Sequence, residues 1–227
     1  MSWVPCVEDA FYEFGVSWTG WCPISGERTD QYLRDKTEGF RPALTADIED
    51  RGLYGNIRSP FRLATGRSRW ALDKALDALA RQTMAIRIPG FRVGVVAGRV
   101  GLGPSTMQPA LFSLIDQTAR AVRLPQAVPA PAHPSVRTQA MSRHGDNQAP
   151  ERFFVPLTGL MQPDQAERVS ADLEASVAPL LERPVEITNL ALMGDPGGGR
   201  PWRLVERYQL SNGVSSEARG QVLEVIG

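Results

Sequence analysis

Two stretches of this chain carry polar side chains where a strand would present them to a groove: LYGNIRSPF (53–61) and RFFVPLTG (152–159). Arg58 in the first and Arg152 in the second can grip an anion through two parallel N–H donors; a solvated strand arginine is the plainer alternative. Thr158 can donate to a ligand oxygen. Only two histidines exist, His133 and His144, both in one Pro-rich stretch. Catalysis by His144 requires that stretch to fold over a groove, and a surface loop is the simpler reading. Asp47, Glu49 and Asp50 offer carboxylates of the kind that bind hard cations, but a solvated loop explains them as well. GRVGLGPST (98–106) precedes a helix, as phosphate-cradling loops do, yet it lacks the Lys-Ser/Thr ending and the full dinucleotide pattern. We read it as a Gly-rich hairpin, and MGDPGGGRP (193–201) as a connector. No G-x-S-x-G and no Cys/His pairing at useful spacing is present, so acyl transfer has no support. We expect no metal and no cofactor.

The elements that must position these residues can be read from periodicity and caps. Helices are expected at 9–18, 68–83, 105–122 and 163–182. Ser68 is a natural N-cap, with Leu72, Ala75, Leu76 and Leu79 on one face behind it. Pro109 suits a first turn, as do Pro163 and Asp164. Strands are expected at 54–63, 84–88, 91–97, 151–160, 184–193 and 201–210, with a hairpin around Gly98. Two blocks share one order: a strand with an X-Pro step, a helix, a strand and a hairpin. Pro156 lies 96 residues after Pro60, and Pro163 lies 95 after Ser68. That order and spacing point to an internally duplicated β-α-β-β unit. Neither copy buries its sheet face alone, so two should pack as pseudo-symmetric lobes with the X-Pro strands across a groove. The expected organisation is an N-terminal lobe over 1–123, a Pro-rich linker or flap over 124–150, a C-terminal lobe over 151–210 and a tail over 211–227.

Composition narrows the partners. The chain has 227 residues, 42% apolar and 22% charged, with 25 basic and 25 acidic side chains. A balanced charge gives no global field to draw nucleic acid or an anionic membrane, so nucleic-acid binding is not expected. No run approaches the ~20 apolar residues of a membrane span. The N-terminus has no basic start and no apolar core, so we expect no signal peptide and a cytoplasmic location. Cys6 and Cys22, with no histidine near either, are expected to be free thiols rather than a zinc site or a disulfide.

Four segments together resemble a known family. They are FYEFGVSWTGWCPISGE near the start, LTADIEDRGLYGNIRSPFRLA, ERFFVPLTGLMQPDQAERV, and LALMGDPGGGRPWRLVERYQL. In this order they are similar to the two-histidine (2H) phosphoesterase superfamily, in its bacterial branch tied to phosphonate metabolism. The resemblance covers about residues 9–210. It implies a bilobal α+β fold of duplicated β-α-β-β units, with two antiparallel sheets around a central groove. It also implies one His-x-Thr/Ser motif from each lobe, whose histidines serve as general base and general acid on a phosphodiester. Counting back from Pro60-Phe61 puts the first motif on Tyr54 and Asn56. Counting back from Leu157-Thr158-Gly159 puts the second on Phe154 and Pro156. All four motif residues are therefore replaced. Phe154 carries no proton, Pro156 has neither hydroxyl nor amide N–H, and a tyrosine is a poor base near neutral pH. Losing an acid or a base costs on the order of 10² to 10⁴ in rate, so standard 2H cyclic phosphodiesterase activity is expected to be absent.

The resulting expectation is a catalytically degenerate 2H-like protein. Its groove would bind a small, phosphorylated ligand or host repurposed chemistry, with Tyr54, Asn56, Arg58, Arg152 and Thr158 as binding residues. Two alternatives stay open: a protein-interaction scaffold using 124–150 or the tail, and an active phosphodiesterase using Tyr54 or His144.

Overall fold

The computed structural model describes residues 1–30, 44–63, 68–122, 128–129 and 152–211. The fold is mixed α+β, with several antiparallel sheets and five helices among these residues. Each main helix follows from its sequence. Helix α1 (Ala10–Thr19) starts where the Asp9 carboxylate accepts from Phe11 N at 2.8 Å, and it stops at Gly20 in the left-handed region, φ 68°. After the single turn α2 (Ala46–Glu49) comes α3 (Arg69–Gln82), capped by Ser68 and burying Leu72, Leu76, Leu79 and Ala80. Helix α4 (Pro109–Val122) buries Leu111, Leu114, Ile115, Thr118 and Val122. Helix α5 (Pro163–Leu181) opens on Pro163, as the fixed φ of proline favours, and buries Ala166, Leu173 and Val177.

The strands are short. They are β1 (Ser2–Trp3), β2 (Trp21–Cys22), β3 (Glu27–Arg28), β4 (Gly55–Asn56), β5 (Phe61–Arg62), β6 (Ile86–Ile88) and β7 (Phe91–Val96). Then follow β8 (Arg99–Pro104), β9 (Val128–Pro129), β10 (Val155–Pro156), β11 (Val185–Ile187), β12 (Asn189–Gly194) and β13 (Arg203–Gln209). One sheet runs β13-β12-β1-β4 and a second runs β10-β8-β7, both antiparallel. A bridge between Asn56 and Phe154 joins them edge to edge, with Asn56 N donating to Phe154 O at 2.8 Å. Two-stranded pairs β11-β6, β2-β3 and β5-β9 and a parallel bridge between Met84 and Ser211 add to the pairing among the described residues.

The packing crosses over. Helix α3 lies against β12 and β13, while α5 lies against β7 and β8. Likewise β10 pairs with β8, and β4 reaches the β12-β13 hairpin through β1. The first strand and helix of each sequence block thus pack on the hairpin of the other. One expected strand, 54–63, divides into β4 and β5 around Arg58-Ser59-Pro60, because proline has no N–H for a ladder. Another, 184–193, divides at Thr188 into β11 and β12, which join different sheets. The expected helix over 105–122 begins at Pro109. Most of 124–150 and of 211–227 lies outside the described residues, apart from β9 and Ser211.

The core centres on four rings. Trp3 meets Phe11 at 6.3 Å and Phe153 at 6.0 Å between centroids; Phe91 meets Phe11 at 5.2 Å and Phe153 at 6.4 Å. These edge-on, tilted and stacked pairs knit β1, α1, β7 and the approach to β10 into one apolar centre. Two glycines leave room beside it. A Cβ at Gly55 would overlap the Phe153 ring, and one at Gly101 would overlap Val155 O and press on the Phe154 ring. Gly101→Ala should therefore push β8 and β10 apart and lower stability by about 1–3 kcal/mol, as overpacking does. A urea melt against the wild type checks this, and an unchanged midpoint would contradict the close approach.

Candidate functional site

A cavity of about 990 Å³ opens beside β4, between the connection to β5, the start of α3 and the ends of β12 and β13. Tyr54, Asn56 and Arg58 line it together. Four more arginines reach it from other elements: Arg51, Arg62, Arg69 and Arg99. Among the described lining residues, Asp195 is the one carboxylate. The described lining is thus rich in guanidinium groups, with Asp73 and Glu206 paired to Arg69 and Asp47 near Arg99 just behind it.

Each arginine is held differently. The Arg51 guanidinium donates to the Tyr54 hydroxyl at 3.4 Å and lies 4.9 Å from the centre of the Trp202 ring. Trp202 is itself fixed, since its N–H donates to Asp50 O at 2.7 Å and its carbonyl accepts from Trp21 Nε1 at 2.8 Å. The backbone N–H of Arg58 donates to Met1 O at 2.8 Å, which anchors the residue to β1. Arg99 lies 3.7 Å from Asp47 Oδ2 and donates to Thr158 O at 3.3 Å.

Arg69 belongs to a network behind the cavity wall. Its Nε donates to Asp73 Oδ1 at 2.7 Å, its Nη2 lies 3.9 Å from Glu206, and the Tyr208 hydroxyl donates to the same Asp73 oxygen. Burial works against the Asp73 carboxylate. Even so, the Tyr208 hydroxyl and the Arg69 guanidinium hold its pKa below the ordinary carboxylate value. Burial, then the Asp73 hydrogen bond, pushes the Tyr208 phenol well up.

The residues expected from sequence divide into two groups. Tyr54, Asn56 and Arg58 meet in the cavity; Arg152, Phe154, Pro156 and Thr158 do not line it. Arg152 is exposed. Phe154 is 6% exposed, with its ring against Gly101. Pro156 is buried in β10. Thr158 is fully buried, where its hydroxyl accepts from Val100 N at 3.0 Å and donates to Gly159 O at 3.0 Å. His133 and His144 lie outside the described residues. The acidic trio does not converge: Asp47 faces Arg99, Glu49 accepts from Thr45 at 2.6 Å, and Asp50 pairs with Arg28 at 2.8 Å. Among the described residues no group of three His, Cys, Asp or Glu side chains is placed to hold a metal ion. The 98–106 stretch is mostly strand β8. Cys6 and Cys22 are free thiols, away from the cavity lining. No helix among the described residues is long and apolar enough to cross a membrane.

Arg51, Arg62, Arg69, Arg99 and Trp202 were not singled out in the sequence. Only the proximity of Arg51 to Tyr54, and of Arg62 to Arg58, was there to see. Residues 56–203 match a family described as "Protein of unknown function (DUF1045)". The chain belongs to this family. No curated protein matches it. The DUF1045 region begins at Asn56 and ends at Arg203, so it takes in Arg58, Arg62, Arg69, Arg99, Asp195 and Trp202. Arg51 and Tyr54 precede it.

Two measurements test the scaffold. Thr158→Val leaves the buried Val100 N–H without its acceptor, so stability in a urea melt should fall by about 1–3 kcal/mol. An unchanged midpoint would show that the Thr158 hydroxyl is not a structural strut. Asp73 has a depressed pKa, so its contribution is present above the ordinary carboxylate range near about 4 and is lost as pH falls through the lower folded value. Asp73→Asn should lower the urea midpoint at pH 7, and the gap to wild type should narrow below about pH 4. A gap that is constant with pH would show that ionisation of Asp73 is not involved.

Proposed function

We propose that the arginine-lined cavity binds a small phosphorylated ligand, in a protein that keeps a 2H-like groove without the family's acid–base pair. The observation that carries this reading is charge: in the described lining Arg51, Arg58 and Arg62 gather with Tyr54 and Asn56, beside Arg69 and Arg99, whose charges Asp73, Glu206 and Asp47 answer in part. Arginine is suited to the task because its planar fork meets two phosphoryl oxygens at once and stays charged at any physiological pH. Among the described residues, Arg51 meets a hydroxyl and an aromatic face rather than a carboxylate, so its charge remains available to an anion.

The bilobal, duplicated fold is part of the same proposal. The exchange of first strand and helix between the two blocks supports it, because a twofold-related pair would trade elements in this reciprocal way. In that frame Tyr54 and Phe154 take the two histidine positions. Phe154 is packed inside the fold, and its ring has no proton to give or accept. Paired acid–base cleavage of a phosphodiester is therefore not the proposed activity.

Calorimetric titration with methyl phosphate tests the binding claim. Binding should be measurable at low salt and weaken as ionic strength rises. It should fall about tenfold or more in Arg51→Ala and in Arg58→Ala, the range for a lost charge-assisted hydrogen bond. Affinity unchanged in both variants, with folding intact by circular dichroism, would overturn the proposal. Incubation with a 2′,3′-cyclic nucleotide should give no product above the uncatalysed rate.

A further inference from the structure

The cavity is far larger than a phosphate group needs, and much of its wall is apolar. Resting on the phosphoryl-binding reading above, we infer that its ligand is an amphiphilic phosphomonoester, a dianionic head on an apolar body, rather than free phosphate or a polyhydroxylated sugar phosphate. At about 990 Å³ the cavity sits at the upper end of sites that enclose a whole organic ligand. The lining includes the apolar side chains of Phe61, Leu63, Leu72, Leu192 and Val205. Leu72 and Leu192 are buried, which gives this wall a rigid backing where α3 packs on β12 and β13. Leu63 and Val205 are 42% and 43% exposed. They therefore present apolar surface to water that a ligand would cover, with a gain proportional to the area removed.

Polar acceptors are few. Ser2, Tyr54, Asn56 and Asp195 are the side chains of the described lining that carry an oxygen able to accept from a ligand hydroxyl. The Asp195 carboxylate already accepts from Gly197 N at 2.8 Å. A sugar with several hydroxyls would leave some of them unpaired in this wall, and each such group costs binding. The head group is set by the arginines of the same lining, where more than one guanidinium group favours a dianion over a monoanion.

A homologous series reads the apolar wall directly. Methyl, butyl and hexyl phosphate are titrated into the full chain, with inorganic phosphate, ribose 5-phosphate and hexanoate beside them. Affinity should rise up to about fourfold for each buried methylene (about 0.8 kcal/mol), and hexyl phosphate should bind at least tenfold tighter than methyl phosphate, ribose 5-phosphate or hexanoate. In a Leu63→Ser/Val205→Thr variant the chain-length dependence should flatten, with methyl phosphate affinity retained. Both side chains are substantially exposed, so folding should tolerate the change, and circular dichroism checks it. A flat series with measurable methyl phosphate binding overturns the amphiphile and leaves the phosphoryl site standing. Ribose 5-phosphate binding as tightly as hexyl phosphate does the same. Equal binding of hexanoate overturns the dianionic head. Absence of binding by every phosphoryl compound overturns the phosphoryl-site reading as well.

Discussion

The amide of Asn56 donates to the carbonyl of Phe154, and on that bridge the two main sheets meet. The junction is tight because the next residues on each side leave no slack. Gly55 lies under the Phe153 ring and Gly101 lies against Val155 and Phe154, each at a distance that admits no Cβ. Phe153 in turn belongs to the aromatic group of Trp3, Phe11 and Phe91. A one-residue slip of β4 would turn Tyr54 and Asn56 to the opposite face and carry Arg58 with them. The polar lining of the cavity therefore depends on a register that apolar packing fixes.

That dependence explains which parts of the molecule were legible in its sequence. Helix α3 was visible because Ser68 caps it and leucines recur at 72, 76 and 79, and its observed limits fall within a residue of expectation. Helix α5 was visible for similar reasons at Pro163. Strand β1 was not, since two residues carry no periodicity, yet Ser2 and Trp3 fill the place between β4 and β12. The division of 54–63 into two strands needed tertiary context as well as Pro60. Local signals specify local structure; pairing between distant two-residue strands is decided by what the core accepts.

The site follows the same division. Tyr54, Asn56 and Arg58 share one short segment, so their common exposure could be expected from one strand. Arg51, Arg69, Arg99 and Trp202 come from four separate places in the chain. Nothing in their local sequence marks them, because a lone arginine at the head of a helix is ordinary. Thr158 shows the converse: a plausible ligand donor by position becomes a buried strut, since the cheapest partner for its hydroxyl is the neighbouring backbone of Val100.

The arginines around the cavity are not equivalent, and the difference bears on what the site can do. Arg69 is clamped by Asp73 and Glu206 from behind, so much of its charge is already answered within the protein. Arg99 is partly answered by Asp47. Arg51 rests on an indole whose backbone is pinned at both its N–H and its carbonyl. A guanidinium set over an aromatic face has already given up part of its rotamer freedom within the protein, and Arg51 does so against a ring and a hydroxyl rather than a carboxylate among the described residues. Arg51 and Trp202, far apart in the sequence, thus form the preorganised part of the cationic wall.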